Sequence, residues 1–510
     1  MSYYMSIDYG GTNTKVILFD DKGQQIAVSS FETLRLEDKT GYREVDLLET
    51  WQAISQAIRN LMTESSIIPS DIRAIACIGH GKGLYVLDKE GREFCKGILS
   101  TDTRANDLAE MFEKDIDKLW PKTRQHVVGV QNPVLLRWLK ENKPQDYAQI
   151  GSILSAKDYI RFKLTGKINQ EYGDASGNHW INFETGHYDA SILDFFGIAE
   201  MIDCLPPLVD YKEIVGGVSQ ETASLTGLVE GTPVIGGLFD IDACAIGSGV
   251  LDSQTFSVIA GTWNINTYPS LYPASQDSGQ MNSYFPDRRY LIEGSSATSA
   301  GNLDIMLKLL MADEIERAKN KGKSIYEDLE SFLEHTDASY SKLIFLPFLY
   351  GSNSHVDAKS CFLGLTAKTS KSEMIRAVYE GVCFAHKQHI EQMVLTVSSR
   401  PHLVRLSGGA SNSPQWLQMF ADSLSLPVEC VEATELGGLG GAIAAHQAIY
   451  GVSLEDAVSQ MVRVKKRFEP RLSQSVLYEE KYEVYQALLK TLWPTWEKVH
   501  GLLARLEEIE

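Results

Sequence analysis

The sequence predicts an α/β fold built from two domains. Along most of the 510 residues, short apolar segments typical of strands alternate with segments whose apolar residues follow helical spacing. A glycine turn between two apolar strands occurs twice, at 5–19 and again at 255–267. Such a repeat indicates two similar domains that face each other, and we divide the chain into 1–248 and 249–510.

Composition and charge narrow the class of protein. A hydrophobic content of 44% and a charged content of 23% are typical of globular proteins. The net charge of −19 argues against a nucleic-acid partner. The seven cysteines are scattered without C-x-x-C spacing, which favours reduced thiols. Because the sequence has neither a signal-peptide pattern nor an apolar run of membrane-spanning length, we expect a cytoplasmic protein that does not bind a membrane.

The first glycine turn lies where an apolar run ends at Asp8 and resumes at Val16. Between them stand a glycine pair and three small polar residues, namely Gly10, Gly11, Thr12, Asn13 and Thr14. This pattern predicts a β-hairpin whose backbone N–H groups form an anion-binding concavity, and the anion bound in such concavities is usually phosphate. An aspartate beside phosphate suits Mg²⁺, which binds one or two carboxylates, waters and phosphate oxygens. An ordinary glycine-rich hairpin is the alternative.

The first half continues as alternating helices and strands. Its predicted elements are a helix that Asp46 and Glu49 begin as a capping box, a strand at 72–78 with the loop 80–83, a strand at 98–99 with the loop 100–104, and a helix that Asn132 and Pro133 begin. Both loops follow strand ends, which is where α/β sheets bind ligands. The segment 165–215 has no pattern from which we predict elements.

Asp240 is the main candidate for acid–base chemistry. A strand at 234–238 leads into it and a helix of small residues follows, so its carboxylate can project into a cleft between the domains. Phosphoryl transfer needs positioned phosphates, Mg²⁺, and a carboxylate that orients the attacking hydroxyl and accepts its proton. Asp242 is a second candidate, although at a helix start we expect it to serve as an N-cap instead.

Two loops of the first half offer groups for the phosphoryl acceptor. His80 and Lys82 supply hydrogen-bond donors, and Asp102 with Arg104 forms a charge pair able to bracket hydroxyl groups. The alternatives are that Asp102 caps a helix at 104–113 and that His80 is a loop histidine whose hydrogen bonds are satisfied within the protein.

The second half repeats the alternation of strands and helices. After the strand pair at 255–267, the predicted elements are a helix at 301–311, a helical region to about 335, a strand at 343–349, a helix at 373–393, a strand at 403–406, a helix from 414, a strand at 428–431, a glycine-rich helix start at 435–442 and an amphipathic segment from 477.

Four glycine-bearing turns each follow an apolar strand, at 10–14, 261–262, 408–412 and 437–442. As a set in an alternating α/β chain they indicate binding of nucleotide phosphates, because glycine lets the backbone approach a ligand closely. The Asn412 amide can bind a ribose or a base edge. For 437–442, close packing between helices is the competing interpretation.

Several motifs, in order, resemble the FGGY carbohydrate kinase family. They are DYGGTNTK at 8–15, NPVLLRWLKE at 132–141, GGLFDIDACAIGSG at 236–249, AGTW at 260–263, FLGL with SEMIRAVYEG at 362–381, LSGGASNSPQWLQMFAD at 406–422 and ATELGGLGGAIAA at 433–445. The resemblance covers residues from about 4 to about 450. It implies two ribonuclease-H-like domains of the actin/hexokinase superfamily flanking a deep cleft that closes on ATP and a sugar.

The resemblance also implies roles for individual residues. Asp240 is implied to be the catalytic base, and Asp8 and Asp240 are implied to hold Mg²⁺. The nucleotide-binding residues it implies are Gly10, Gly11, Thr12, Asn13, Thr14, Lys15, Gly261, Thr262, Gly301, Gly408, Gly409, Ala410 and Asn412, with 435–441 as part of the adenosine wall. The substrate-binding residues it implies are His80, Gly81, Lys82, Asp102, Arg104 and Asp240.

Departures from the common family pattern bear on the sugar. Where many xylulokinases have Gln-Met-His-Gly and Gly-Glu-Arg, this chain has 80–83 (HGKG) and 351–353 (GSN). Together with LSTDTRA at 99–105, these segments are similar to the L-xylulose kinase (3-keto-L-gulonate kinase) branch. This implies ATP-dependent phosphorylation of L-xylulose at its terminal hydroxyl, with 3-keto-L-gulonate, D-xylulose, gluconate or a pentitol as alternative substrates. A non-catalytic sugar sensor and a chaperone-like ATPase are alternatives of other classes, and a homodimer is an assembly that the sequence leaves open.

Overall fold

The protein folds into two compact units, seen in a computed structural model that describes residues 2–37, 39–334, 340–352, 354–397 and 400–507. The first unit comprises Met1–Asp252, Pro269–Ile292 and Glu432–Arg463. The second comprises Ser253–Tyr268, Glu293–Val431 and Val464–Glu510. Each unit therefore combines segments that are distant in sequence.

Strands and helices alternate up to residue 252. The strands are β1 (Tyr3–Tyr9), β2 (Asn13–Asp20), β3 (Gln25–Glu32), β4 (Glu44–Val45), β5 (Ile72–Gly79), β6 (Tyr85–Asp88), β7 (Gly97–Ile98), β8 (Ile150–Leu154), β9 (Gln170–Glu171), β10 (Ile181–Asn182), β11 (His187–Tyr188), β12 (Leu208–Val209), β13 (Ile214–Gly217), β14 (Pro233–Ile235) and β15 (Leu238–Phe239). The helices are α1 (Leu47–Ser65), α2 (Asn106–Glu113), α3 (Trp120–Thr123), α4 (Asn132–Asn142), α5 (Pro144–Tyr147), α6 (Ala156–Thr165), α7 (Tyr172–Gly177), α8 (Ala190–Phe195), α9 (Gln220–Thr226) and α10 (Asp240–Gly247).

The alternation continues to the C-terminal helix. The strands are β16 (Thr255–Ala260), β17 (Asn264–Ser270), β18 (Met281–Phe285), β19 (Arg289–Ser296), β20 (Ile344–Leu346), β21 (Cys361–Leu363), β22 (Leu403–Ser407), β23 (Val428–Val431) and β24 (Val464–Phe468). The helices are α11 (Ala300–Leu310), α12 (Ala312–Asn320), α13 (Ile325–Glu334), α14 (Lys371–Val394), α15 (Pro414–Leu424), α16 (Leu436–Tyr450), α17 (Leu454–Met461) and α18 (Leu472–Glu507). Asn353, part of one substrate motif, lies outside the described residues.

The main sheet of the first unit has the strand order β13-β14-β5-β1-β2-β3, and β15 also pairs with β5. β1 and β2 form an antiparallel hairpin, whereas β5 runs parallel to β1, β14 and β15. In the second unit, β17 and β16 form a hairpin and β22 and β23 follow in parallel, with β24 antiparallel at the edge. Each unit thus joins a hairpin to parallel strands, and the predicted two-domain α/β fold is confirmed.

Helices cover both faces of the first sheet. Successive side chains of β1 point to opposite faces, and each face packs against a helix. Met5 and Ile7 lie in one core with Trp51 and Ile54 of α1. On the opposite face, the Ser6 hydroxyl donates a hydrogen bond to the Gly438 carbonyl of α16 at 2.6 Å. Asp8 shares the parity of Ser6 and lies on the α16 face of the sheet.

Local signals at helix starts were correct in one case and wrong in two. The Asp46 carboxylate accepts a hydrogen bond from the Glu49 backbone N–H at 2.9 Å, as expected of an N-cap. Asp242 is not an N-cap: α10 begins at Asp240, so Asp242 lies inside the first turn. Asp102 does not cap a helix either, because α2 starts at Asn106 with Ala105 as its N-cap.

Candidate active site

Three neighbouring parallel strands of the first unit bring the main candidate residues to one edge of the sheet. In the strand register, Asp8 of β1 is opposite Ile78 of β5, and Phe239 of β15 is opposite Gly79. Asp240 follows Phe239 directly, and the loop from His80 follows Gly79. The carboxyl ends of parallel strands are where α/β sheets bind ligands. Asp8, the 80–83 loop and Asp240 are therefore adjacent.

Asp8 is half-buried and lies among charged residues. The Lys15 ammonium and the Glu435 carboxylate form an ion pair at 2.6 Å beside it. A Cβ atom added at Gly437 would lie 3.0 Å from the Asp8 Oδ2 atom, so the start of α16 closes over this carboxylate. Burial raises the pKa of Asp8 to about 6, Lys15 opposes the rise and Glu435 adds to it.

The charges of Asp240 and Asp8 both raise the pKa of one thiol, that of Cys244. Cys244 is one helical turn after Asp240 on α10, and residues four apart share a helix face. Burial raises the pKa of the Cys244 thiol far above its ordinary value, and the charges of Asp240 and Asp8 raise it further. The two candidate carboxylates are thus within electrostatic reach of one group.

The first glycine turn is held by a residue that the sequence analysis did not select. Thr33 donates its hydroxyl hydrogen to the Gly10 carbonyl at 2.7 Å, and its backbone N–H donates to the Thr12 carbonyl at 2.9 Å. The Thr14 hydroxyl is buried against the Thr33 hydroxyl at 3.0 Å, while Thr12 and Asn13 are exposed. The strand register of β2 and β3, in which Asn13 faces Glu32, is the signal that could have identified Thr33.

The 80–83 loop packs tightly against the residue that precedes Asp240. A Cβ atom at Gly81 would overlap the Phe239 ring, lying 2.8 Å from its Cδ2 atom. Lys82 has φ of +66°, a left-handed conformation that is uncommon outside glycine. His80 is buried, its Nε2 atom lies 2.9 Å from the Tyr85 hydroxyl, and burial lowers its pKa to about 4. His80 is therefore neutral at physiological pH.

Asp102 and Arg104 form a buried pair whose partners lie within the protein. Asp102 Oδ1 accepts from the Arg104 backbone N–H and from its Nε at 2.9 Å. Its Oδ2 accepts from the Arg43 backbone N–H at 2.7 Å and from Arg104 Nη2 at 2.8 Å. The Arg104 guanidinium also pairs with Glu44 at 2.9 Å and lies 4.0 Å from the Tyr42 ring centroid. Substrate binding by Asp102 and Arg104 stays a prediction.

Asp242, the second acid candidate, is buried beside other carboxylates. A Cβ atom at Gly173 would lie 2.9 Å from its Oδ2 atom. Burial raises the pKa of Asp242 well above its ordinary value, and Glu171 and Asp174 add to the rise. Lys157, completely buried, pairs with Asp174 at 2.6 Å and with Glu171 at 3.4 Å. Sequence reasoning missed this cluster because its members come from three separate segments.

In the second unit, three predicted nucleotide segments meet at the end of β16. Gly408 has φ of +81°, and a Cβ atom there would lie 2.7 Å from the Ala260 carbonyl and 2.9 Å from the Gly261 nitrogen. A Cβ atom at Gly301 would lie 3.1 Å from the Thr262 carbonyl oxygen. The backbone of these turns is therefore in close contact.

The other predicted nucleotide residues of this unit flank the same place. Ala410 is buried, whereas Gly409 and Asn412 are exposed in a short 3-10 helix that covers Gly409–Asn412. Asn302 follows Gly301 and uses its Oδ1 atom to accept the Leu349 backbone N–H at 2.9 Å. His386, which the sequence analysis did not select, lies 3.0 Å from the Ser299 hydroxyl beneath the start of α11.

The glycine-rich segment at 435–441 belongs to the first unit. A Cβ atom at Gly440 would overlap the Ala243 carbonyl oxygen of α10 and lie 2.7 Å from its carbonyl carbon. One at Gly438 would lie 2.8 Å from Ile17 Cδ1 of β2. The close helix packing that we weighed as an alternative is thus confirmed for this segment. Glu435 and Gly437 beside Asp8 were not predicted.

Two α/β units, one with carboxylates at adjoining strand ends and both with glycine turns, define a protein suited to phosphate chemistry. Residues 3–247 match the N-terminal domain of the FGGY family of carbohydrate kinases, and residues 256–449 match its C-terminal domain. The chain belongs to this family, and it is an ATP-dependent carbohydrate kinase.

Individual relatives span almost the whole chain. A protein of Haemophilus influenzae described as a probable L-xylulose kinase is 34% identical over 498 residues, which are 96% of this chain and 99% of the relative. The L-xylulose/3-keto-L-gulonate kinase of Escherichia coli is 33% identical over 513 residues, 99% of each chain. A ligand-bound xylulose kinase of Lactobacillus acidophilus has a similar fold, with a TM-score of 0.88 at 23% identity, covering 98% of this chain and 100% of that one. None of the described helices is long and apolar enough to cross a bilayer.

Proposed function

We propose that this kinase transfers the terminal phosphoryl group of ATP to the terminal hydroxyl of L-xylulose. The observation that carries the proposal is the placement of Asp240 at the end of β15, adjacent to Asp8 and to the Lys82 loop. The names of the relatives that span the full chain supply the sugar.

The proposed mechanism assigns a separate task to each group. Asp240 orients the sugar hydroxyl and accepts its proton late along a loose transition state, so its carboxylate needs no strongly raised pKa. The backbone N–H groups of the turns at 10–14 and 261–262 bind phosphate oxygens. The turn at 408–410, Gly301 and Asn412 bind the nucleoside.

The Asp8 region fits a divalent cation. Asp8 is a half-buried carboxylate, and Asp240 is close enough to act with it on the pKa of the Cys244 thiol. Two carboxylates near one another favour a hard cation, and Mg²⁺ is typically held by one or two carboxylates and phosphate oxygens. Asp8 and Asp240 are the residues that would hold Mg²⁺, which supplies neutralisation of the phosphate charge when it is bound.

The positively charged Lys82 favours a substrate with additional oxygen or negative charge. This makes 3-keto-L-gulonate the second candidate, since a carboxylate on the sugar could pair with the ammonium group. An ADP-release screen with L-xylulose, D-xylulose, 3-keto-L-gulonate, gluconate and pentitols separates the candidates. We expect L-xylulose to give the highest kcat/KM, and Lys82→Met to reduce turnover of the acid more than that of the neutral sugar. A clear preference for D-xylulose or a pentitol would contradict the proposal.

The role of Asp240 is tested by Asp240→Asn, which keeps the shape and removes the base. We expect ATP and sugar to bind with near-normal affinity, while kcat falls by roughly 10²–10⁴-fold. The matched control is Asp203→Asn, an exposed aspartate of the same unit, which should leave kcat unchanged. Near-normal turnover of Asp240→Asn would refute the assignment.

The cellular setting and the assembly of the enzyme complete the proposal. We place it in the cytoplasm with reduced cysteines, and all seven cysteines are free in the structure. A homodimer is proposed as its assembly, and sedimentation equilibrium at working concentration tests this directly.

A further inference from the structure

One cavity of the first unit is lined by neither Asp8, the 80–83 loop nor Asp240. It has a volume of about 460 Å³, and α7, the hairpin of β18 and β19, and α10 contribute to its walls. Asp242 is two residues after Asp240 on α10, and residues two apart point to different sides of a helix. Cys244 shares the face of Asp240, so the cavity meets the other side of the helix that begins with the catalytic candidate.

The cavity carries an excess of negative charge. Five of its lining residues are carboxylates: Glu171, Glu184, Asp210, Asp242 and Asp287. Arg288 is the one lysine or arginine among its lining residues. Clefts lined by one sign of charge concentrate ions of the opposite sign. Anions such as nucleotides and sugar phosphates are therefore disfavoured, and cations are favoured.

One wall of the cavity is a group of stacked aromatic rings. Phe183 stacks on Tyr284 with a centroid distance of 4.5 Å and on Tyr290 at 5.5 Å. Tyr172 meets Tyr284 edge-on at 6.4 Å. Aromatic faces attract ammonium and guanidinium groups through the ring quadrupole, and the attraction grows when water is excluded. Rings and carboxylates together are the pattern by which proteins bind organic ammonium ions.

One further feature distinguishes this cavity from an ordinary surface recess. Asp242 lines it while only 1% exposed, and its Oδ1 atom has no hydrogen-bond partner within the part of the chain that the structure describes. Such buried polar atoms are uncommon, and each one calls for an explanation.

We propose that this cavity is a binding site for a small organic ammonium ion, separate from the sugar and nucleotide sites. The ammonium group lies against the aromatic wall and pairs with Asp242, while the rim carboxylates attract the ion. Because α10 carries Asp242 on one side and begins with Asp240, occupancy of the cavity acts on the helix that positions the proposed base.

Isothermal titration of the full chain without nucleotide tests this site with three probes of similar length. Putrescine carries the charge, butanediol lacks it and succinate reverses it. We expect saturable binding of putrescine, with butanediol at least about tenfold weaker and no binding of succinate. The proposal is overturned if putrescine and butanediol bind equally, or if putrescine shows no binding at millimolar concentration.

Variants locate the binding. Asp242→Asn keeps the shape of the side chain and should weaken putrescine binding at least about tenfold, as a lost charge-assisted contact predicts. If that variant does not fold, the exposed double variant Glu184→Gln/Asp287→Asn gives the same test at the rim. Asp240→Asn should leave putrescine binding unchanged, since a loss there would mean that the ion occupies the active site. A loss as large in Asp203→Asn would mean unspecific attraction to the acidic surface, and the proposal would fail.

Discussion

Replacing Gly440 with alanine tests the contact that holds α10 in place. The added Cβ atom would overlap the Ala243 carbonyl oxygen, and it would lie 2.7 Å from the carbonyl carbon and 2.8 Å from the Cα atom of Ala243. All three atoms are backbone, so no rotamer change relieves the overlap, and α10 and α16 must move apart. Gly247 of α10 approaches the Leu436 carbonyl of α16 equally closely. Each helix therefore has a glycine in contact with the backbone of the other, and separating the helices disrupts both contacts.

The expected size of the effect follows from two opposing contributions. Alanine in a helix interior is favoured over glycine by about 1 kcal/mol. Overpacking in a core costs about 1–3 kcal/mol and more when backbone must shift. Because only backbone atoms meet the added Cβ, the cost lies at the upper end of that range, and for Gly440→Ala we expect a net loss of about 2 kcal/mol, which corresponds to a decrease in Tm of about 4 °C. Because Asp240 is the first residue of α10, kcat should fall as well.

Thermal unfolding followed by circular dichroism compares Gly440→Ala with two matched glycine variants. Gly501 in α18 has no atom within 4 Å of an added Cβ, so Gly501→Ala should leave Tm unchanged or raise it slightly. Gly438→Ala meets the end of the Ile17 side chain at 2.8 Å, which can move, and its loss should be intermediate. A Tm for Gly440→Ala equal to that of Gly501→Ala would refute the packing of α10 on α16.

Two further predictions concern Asp8 and the proposed nucleotide site. Since the pKa of Asp8 is about 6, its ionised fraction falls about tenfold between pH 7 and pH 5, and kcat/KM at fixed Mg²⁺ should fall with it. Glu435→Gln removes a charge that raises this pKa, so the acid limb of the pH profile should move to lower pH; an unmoved limb would exclude Asp8 as the titrating group. Gly408→Ala places a Cβ atom 2.7 Å from the Ala260 carbonyl in a left-handed conformation, so we expect KM for ATP to rise at least about tenfold while the sugar KM stays constant, and equal changes in both would contradict a nucleotide role.

The sequence predicted those parts of the site whose cause is local. The hairpin that carries Asp8 and the 10–14 turn was predicted from two apolar strands with a glycine pair between them, and the structure contains this hairpin. Asp240 was identified because a buried strand stops and a helix begins at the same residue. In both cases neighbouring residues determine the backbone geometry, so no knowledge of distant contacts is needed.

Contacts between distant segments escaped prediction. Glu435 pairs with Lys15 although 420 residues separate them, and neither residue type nor spacing indicates such a pair. The resemblance to the kinase family implied that 435–441 and 408–412 together form the adenosine wall. In the structure the chain returns to the first unit at Glu432, so these neighbours in sequence belong to different units.

Because α16 belongs to the first unit, the sheet edge that carries Asp8 and Asp240 depends on the C-terminal half of the chain. Gly440 lets α16 lie against α10, and Gly437 lets the same helix close over Asp8. One helix thus sets the position of the proposed base through α10 and the charge environment of Asp8 through Glu435. A change that shifts α16 should therefore alter kcat and the acid limb of the pH profile together, whereas a change confined to the Lys82 side chain should alter only sugar recognition.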